Sequence, residues 1–458
     1  MILFIHRKDL RIQDMPAFEY ITQREVPSLH TFIVDPAIIG QGRHVEHSGI
    51  QFLRTLSKLV ELYKHDGLTL HLLYGDPIEI THDLVQRYPV QEIVVHEDYT
   101  PYSRERDGKL ERVAAQRNIS FTSLPDQPLI DWEDFHRFAE RTDAYKVFTP
   151  FYRKWKAYMD LFFQPPVFTD VNELQTVALD SEVLDKYSLP FLIPNSSIDE
   201  PSVRLQDFIE DDLDSYERYR DYYSEEGTSH LSSALNTGAI SSREVYAAVL
   251  HLPQAESWRR QLAWRDFYLY QSHQDPVFYS YENRFDLSAL NDFHFEAWSQ
   301  GNTGIPVIDA AMRQLNQTGY LPNRLRMITA MFLTKNLLCP FSLGEAYFRI
   351  KLADYDHALN RGGWLWCSSL GYDASPYFRI MNPVTQSQKF DPHGRYLRDW
   401  LPELAHLEGK ALHQPHPQAI VDLKGSRLQA IEVYRGILQT SKSQPLTDNS
   451  FPRHHQVK

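Results

Sequence analysis

Leu352-Ala-Asp-Tyr-Asp-His-Ala-Leu-Asn-Arg-Gly-Gly-Trp-Leu-Trp366 is the stretch on which the reading of this chain turns. Two acids (Asp354, Asp356), one amide (Asn360), a glycine pair (Gly362, Gly363) and two tryptophans (Trp364, Trp366) crowd together. A large planar ligand suits this mixture better than a plain core does. The acids can anchor polar edges and the amide can reach a ring nitrogen. The glycines let backbone come close, and the indoles offer flat, polarizable faces.

Working outward, the stretch runs on into Asp373-Ala-Ser-Pro-Tyr-Phe-Arg-Ile-Met-Asn-Pro383 and Gln388-Lys-Phe-Asp-Pro392. It is preceded by Thr318-Gly-Tyr-Leu-Pro-Asn-Arg-Leu-Arg-Met327. From about residue 204 to 440 helical spacing dominates; in Trp258–Tyr270, Trp258, Gln261, Leu262 and Arg265 share one face. Asn323, Arg324 and Arg326 fall on one predicted helix, which on pattern alone could be a solvated, ion-paired face. The N-terminal part behaves differently. Apolar runs at Ile2–Ile5, Leu29–Val34, Leu68–Leu73 and Ile93–His96 alternate with amphipathic segments such as Ser48–Tyr63. That alternation predicts a parallel sheet covered by helices. Residues 129–203 read as a helical and irregular connector, Pro- and acid-spotted from Phe162 to Val203 and laid over the surface. The boundaries are therefore 1–128, 129–203 and 204–440, with a polar tail at 441–458.

Composition narrows the classes. The chain has 458 residues, 42% of them hydrophobic and 13% aromatic, which fits a globular protein of two or three domains. Its net charge of −13 argues against a nucleic-acid binder unless cationic groups gather around one mouth. Cys339 and Cys367 suit neither a disulfide framework nor a metal site, so no metal is expected. No signal peptide and no span of a bilayer is legible, and a reducing cytoplasm is the simplest location. No Gly-x-Gly-x-x-Gly follows the first strand, and no hydrolase triad, phosphate-cradling Walker loop or metal cluster is visible.

In order and spacing, these runs, with Phe4-Ile-His-Arg-Lys-Asp-Leu-Arg-Ile-Gln-Asp-Met-Pro16, resemble the photolyase/cryptochrome family. The likeness is greatest to its bacterial cyclobutane pyrimidine dimer photolyases and covers nearly the whole chain, residues 160–200 least. It implies an α/β antenna domain with a Rossmann-like parallel sheet, followed by an all-helical domain holding U-shaped FAD. The implied reaction is light-driven splitting of pyrimidine dimers by electron transfer from excited reduced FAD to a dimer flipped out of DNA.

The resemblance also assigns residues. Gly227-Thr-Ser-His-Leu-Ser-Ser233, which by itself reads as an ordinary helix cap, resembles the family's contact with the flavin pyrophosphate. This makes Thr228, Ser229, His230, Leu231 and Ser232 cofactor residues, with Tyr216, Trp258 and Arg265. Arg326 is implied to pair with Asp354 beside the isoalloxazine, Asp356 to contribute nearby, Asn323 to line the cavity and Asn360 to face flavin N5. A neutral amide there can hydrogen-bond the ring without the charge that would favour protonating it. Trp264 and Trp366 are implied to wall the lesion pocket, with Gln261 at a base edge. Flipping suits a damaged, poorly stacked pair, and indole walls replace the lost stacking. Expected DNA contacts are Arg220, Gln261, Trp264, Arg265, Arg324, Trp366, Arg379 and Lys389.

The chain departs from the family pattern at four places. Gln261 replaces the usual glutamate and cannot act as an anion. Tyr320 and Pro322 replace the usual tryptophan and histidine, and the missing histidine pair disfavours six-four photoproducts. Trp364, the flavin-proximal electron-transfer residue, is present, but the next position of the family's tryptophan chain is Phe341 and the outer one falls near Ser288. A hole on Trp364 is therefore expected to be stranded unless Tyr320, Tyr347 or another tyrosine offers a path. Tyr102 and Ser103 replace the folate-binding pair, so a folate antenna is disfavoured; a deazaflavin, a second flavin or no antenna remain.

The reading is a monomeric, cytoplasmic repair enzyme acting on damaged DNA and not on membranes. A cryptochrome-like photoreceptor that binds FAD without repair is the alternative. A flavin protein without a DNA role would follow if no cationic mouth exists.

Overall fold

The computed structural model of the protein describes residues 1–40, 42–196 and 199–440; the predicted polar tail at 441–458 lies outside the described residues. Five parallel strands form one sheet in the order β3-β2-β1-β4-β5. They are β1 (Ile2–His6), β2 (Ser28–Val34), β3 (Leu70–Tyr74), β4 (Glu92–His96) and β5 (Ser120–Leu124). β1 is buried at every residue, as a central strand covered on both faces must be. Its side chains alternate between two cores. Ile2 and Phe4 join Leu53, Leu56 and Leu59 of the helix His47–His65, whereas Leu3 and Ile5 join Ile80 and Leu84 of the helix Pro77–Arg87. The fifth strand was not predicted. Ser-Phe-Thr-Ser-Leu sits on an edge and is only half covered, so it carries too little apolar pattern to be read as a strand.

The connector is corrected in one respect: it is stitched into the sheet domain as well as laid over it. Thr176 bridges Ser28 in parallel, and Leu174, Leu179, Val183 and Tyr187 enter the two cores of the sheet. Its apolar residues are spaced by prolines and acids, so no helical or strand period announces them.

The rest is helical. Two clusters organise it, one around Phe151, Trp155, Phe267 and Tyr270, the other around Trp298, Leu325, Leu333, Phe348, Trp364 and Leu365. The helix His357–Ser368 contributes Ala358 to the first and Trp364, Leu365 and Cys367 to the second, so it lies between them. Among the described residues no helix is long and apolar enough to cross a membrane.

Candidate active site

Asp356 starts the central helix by accepting from Leu359 N at 3.0 Å, the side-chain cap its position calls for. Ser369, with φ 65°, closes it in the left-handed region. Arg361 is buried and pairs with Glu345 at 2.9 Å and with Glu282, which locks the helix against its neighbours. Gly362 is required for close packing, because a Cβ there would lie 2.1 Å from the Tyr268 ring of the helix Glu256–Gln274. Gly363 meets no other element: apart from its own stretch of helix, no heavy atom lies within 4 Å of where its Cβ would be. Asn360 donates its amide nitrogen to Glu345 O at 3.1 Å, which leaves its oxygen to accept from whatever occupies that side.

The expected ion pair is present. Arg326 Nη2 donates to both oxygens of Asp354, at 3.0 and 2.8 Å, and its Nε donates to Leu321 O at 2.7 Å. Asn236 holds the Asp354 backbone carbonyl. Arg326 belongs to the helix Asn323–Met331, which runs directly into a π-helical turn, Phe332–Asn336, a local irregularity frequent at functional sites. Asp356, expected among the ligand contacts, also has structural partners. Besides capping the helix, its carboxylate binds Lys8 at 2.9 Å. Burial alone would raise its pKa, but Lys8 and the Leu359 N–H outweigh burial and hold it below the ordinary carboxylate value. Lys8 follows β1, at the carboxyl end of the sheet beside β4, where the strand order reverses. That position in the fold is the signal that could have identified it.

The loop before Ser232–Thr237 behaves unlike an ordinary cap. The capping position is Leu231 and no side chain caps the helix, so Thr228, Ser229 and Ser232 are not engaged that way. His230 takes φ 50° and stacks obliquely on Tyr320 at 5.1 Å. Ser233 Oγ is buried and without a partner, as is Arg265 Nε. Two orphaned polar atoms in one region are costly unless something else satisfies them. Nearby, Tyr216 and Trp258 are buried against Phe208.

Trp264 and Trp366 are both half-buried. Trp264 is one turn before Tyr268, and Trp366 one turn after Gly362, so the Tyr268–Gly362 contact brings their helices together. One face of Trp264 is covered by Phe148, which was not anticipated. Phe148 N is held by Asp373 Oδ2 at 3.2 Å. Gln261 makes only a long bond to Ser257 O, 3.4 Å, and Asn323 is exposed.

Two of the expected DNA contacts are engaged within the protein. Arg265 is 8% exposed and gives its Nη atoms to Gln127 O and Leu235 O, so it braces the interior and does not reach for phosphate. Arg324 is only half-exposed, paired with Asp221 at 2.5 Å and lying over Phe390. Arg220 lies 5.6 Å from the centroid of the Tyr216 ring. Arg379 and Lys389 are exposed, as a phosphate contact needs.

Comparison with known proteins decides among the readings. Residues 2–169 match the DNA photolyase domain, and residues 258–440 match the FAD binding domain of DNA photolyase. A deoxyribodipyrimidine photo-lyase of Alkalihalophilus pseudofirmus is 33% identical, the match covering 94% of this chain and 97% of that protein. The chain belongs to the photolyase/cryptochrome family. Among solved family structures, a bacterial class III photolyase from Agrobacterium tumefaciens superposes with a TM-score of 0.81 at 29% identity, over 96% of this chain and 98% of that one. An archaeal photolyase from Sulfolobus tokodaii, solved with two FAD molecules, gives 0.78 at 28% identity, over 95% and 100%. The residues present fit the family's flavin. Ser233 Oγ and Arg265 Nε lack partners, the Gly363 face is open, and the Asn360 oxygen and the Arg326–Asp354 pair stand ready for a polar ring edge.

Proposed function

We propose that this protein is a light-dependent DNA repair enzyme that uses FAD to split cyclobutane pyrimidine dimers. The observation that carries the reading is the single helix that carries Asn360, Gly363 and Trp366 and whose cap, Asp356, lies two residues after Asp354 of the Arg326–Asp354 pair. Bound FAD supplies a light-excitable one-electron donor; the protein supplies everything around it. Asn360 offers a neutral acceptor, Arg326 and Asp354 a fixed pair of opposite charges, and Ser233 Oγ and Arg265 Nε donors with no partner in the protein. Thr228, Ser229 and the backbone of the Gly227 loop would hold the phosphates.

On the other side, Trp264 and Trp366 would receive a dimer flipped out of damaged DNA. Gln261 would donate to a pyrimidine carbonyl or accept from a ring N–H, since an amide does both. Arg379 and Lys389 would take backbone phosphate. We place the antenna unit at 1–128, the connector at 129–203 and the catalytic unit at 204–440, in a cytoplasmic monomer. A repair assay tests the proposal: reduced protein, an oligonucleotide carrying a thymine dimer, and near-UV light. Loss of the dimer only under illumination supports repair; an intact dimer with fully reduced flavin returns the protein to the photoreceptor class.

A further inference from the structure

Phe341 occupies the place from which Trp364 would ordinarily be refilled, yet Trp364 has another oxidisable neighbour. Trp298, on the short helix Phe295–Gln300, meets Trp364 edge-on with centroids 6.2 Å apart. Tyr347, on the helix Phe341–Lys351, meets the same Trp298 at 5.8 Å. Phe348 packs against both indoles, at 5.0 Å from Trp364 and 6.1 Å from Trp298. Trp364 and Trp298 are buried, whereas Tyr347 is partly exposed. Three oxidisable rings thus run in contact from the helix that carries Asn360 to the surface. We infer that Trp298 and Tyr347 form an electron relay that refills Trp364 in this protein. The inference rests on the flavin reading above.

The difference in exposure between the two rings gives the relay a direction. Trp298 Nε1 donates to Thr329 O at 3.1 Å. A backbone carbonyl cannot take the proton, so an oxidised Trp298 stays protonated and remains a strong oxidant. Tyr347 differs in being partly exposed, so water can reach it, although its single hydroxyl proton is shared between Asn316 Oδ1 at 2.5 Å and Ser299 O at 3.0 Å. A phenol that loses an electron becomes acidic and releases its proton to water, which traps the hole there. One electron leaves Trp364 for the excited oxidised cofactor, one passes from Trp298 to Trp364, and one from Tyr347 to Trp298 as the hydroxyl proton goes to solvent. A thiol reductant in solution returns one electron, and water returns the proton, restoring the phenol.

Flash spectroscopy and electron paramagnetic resonance of the FAD-loaded, oxidised full chain test this directly. Wild type should give a tyrosyl radical whose formation slows in deuterated water. Tyr347→Phe keeps the ring and should lose that signal, leaving an indole radical cation that recombines sooner. Trp298→Phe should lose the tyrosyl signal and the long-lived radical together; if that variant does not fold, Tyr347→Phe alone decides. A tyrosyl signal unchanged in Tyr347→Phe overturns the relay. A radical that survives even Trp364→Phe overturns the relay and the cofactor placement together, whereas one lost only in Trp364→Phe overturns the relay alone.

Discussion

Trp264 lies flat on Phe148, with ring centroids 3.6 Å apart and planes 6° apart. The two residues come from different helices, Phe148–Phe162 and Glu256–Gln274. One face of the indole is thus already stacked, and only the other face is left for a base. The phenyl ring backs the indole and fixes its tilt, so the platform is set before any ligand arrives. Arg260, 5.4 Å from the Phe148 centroid, closes the outer side of this stack.

Trp264→Ala is expected to remove the preference for dimer-containing over intact DNA, at about 1–3 kcal/mol for one stacked base. Phe148→Leu should lower the same preference while leaving binding to intact DNA almost unchanged. Fluorescence titrations with matched damaged and undamaged duplexes measure both.

Arg379→Ala should weaken binding to both duplexes alike and make the dependence of affinity on salt shallower by about one unit of log–log slope. Arg324→Ala should do less, because Asp221 already holds that guanidinium. Equal effects of the two variants on the slope would argue against exposed Arg379 as the stronger phosphate contact.

Arg326→Ala leaves the carboxylate of Asp354, which is 8% exposed, without its partner. A loss of about 1–3 kcal/mol is expected for the unsatisfied group, together with weaker FAD retention. Flavin released on denaturation, measured against protein, reports the occupancy; a fully occupied variant would move the cofactor away from this pair.

Asp356 has two separable jobs. Asp356→Asn keeps an oxygen for the Leu359 N–H and loses the Lys8 ion pair, whereas Asp356→Ala loses both. Thermal unfolding should therefore rank wild type above the Asn variant and the Asn variant above Ala, the last step costing about 1 kcal/mol for a helix cap.

Acid should destabilise the protein between about pH 6.5, the unperturbed histidine value, and about pH 4. Burial, helped by Arg104, lowers the His273 pKa to about 4, and burial also lowers that of His357 to about 4. Across that window the unfolded chain takes up protons that the folded chain refuses, so stability present above the window is lost on descending through it. Asp266 opposes the trend, because burial raises its pKa to about 6 and the folded state favours its protonated form. His273→Gln should flatten the fall of Tm with pH and Asp266→Asn should steepen it.

The Arg326–Asp354 pairing was legible only through the family resemblance of the two runs that hold these residues, and the structure joins those runs. The four strands with apolar runs were legible because a fully buried parallel strand has no choice but to be apolar. The edge strand Ser120–Leu124 was not, since half-covered residues are free to be polar. Arg265 and Gln261 share a helical face, yet one is buried against backbone carbonyls and the other is half-buried with only a long bond to Ser257 O. Spacing tells which residues share a face; it does not tell what the face meets.

By itself, then, the sequence determined the two kinds of secondary structure, their order, and the single run in which Asn360, Gly363 and Trp366 stand together. Local spacing and capping dictate those features. Tertiary structure alone decided that Phe148 covers Trp264, that Lys8 takes up Asp356, that Ser233 is left without a partner, and that Trp298 stands between Trp364 and Tyr347. Every contact among these joins segments far apart in the chain. Such contacts follow from how whole helices and the sheet pack, and no pattern within either segment encodes its distant partner.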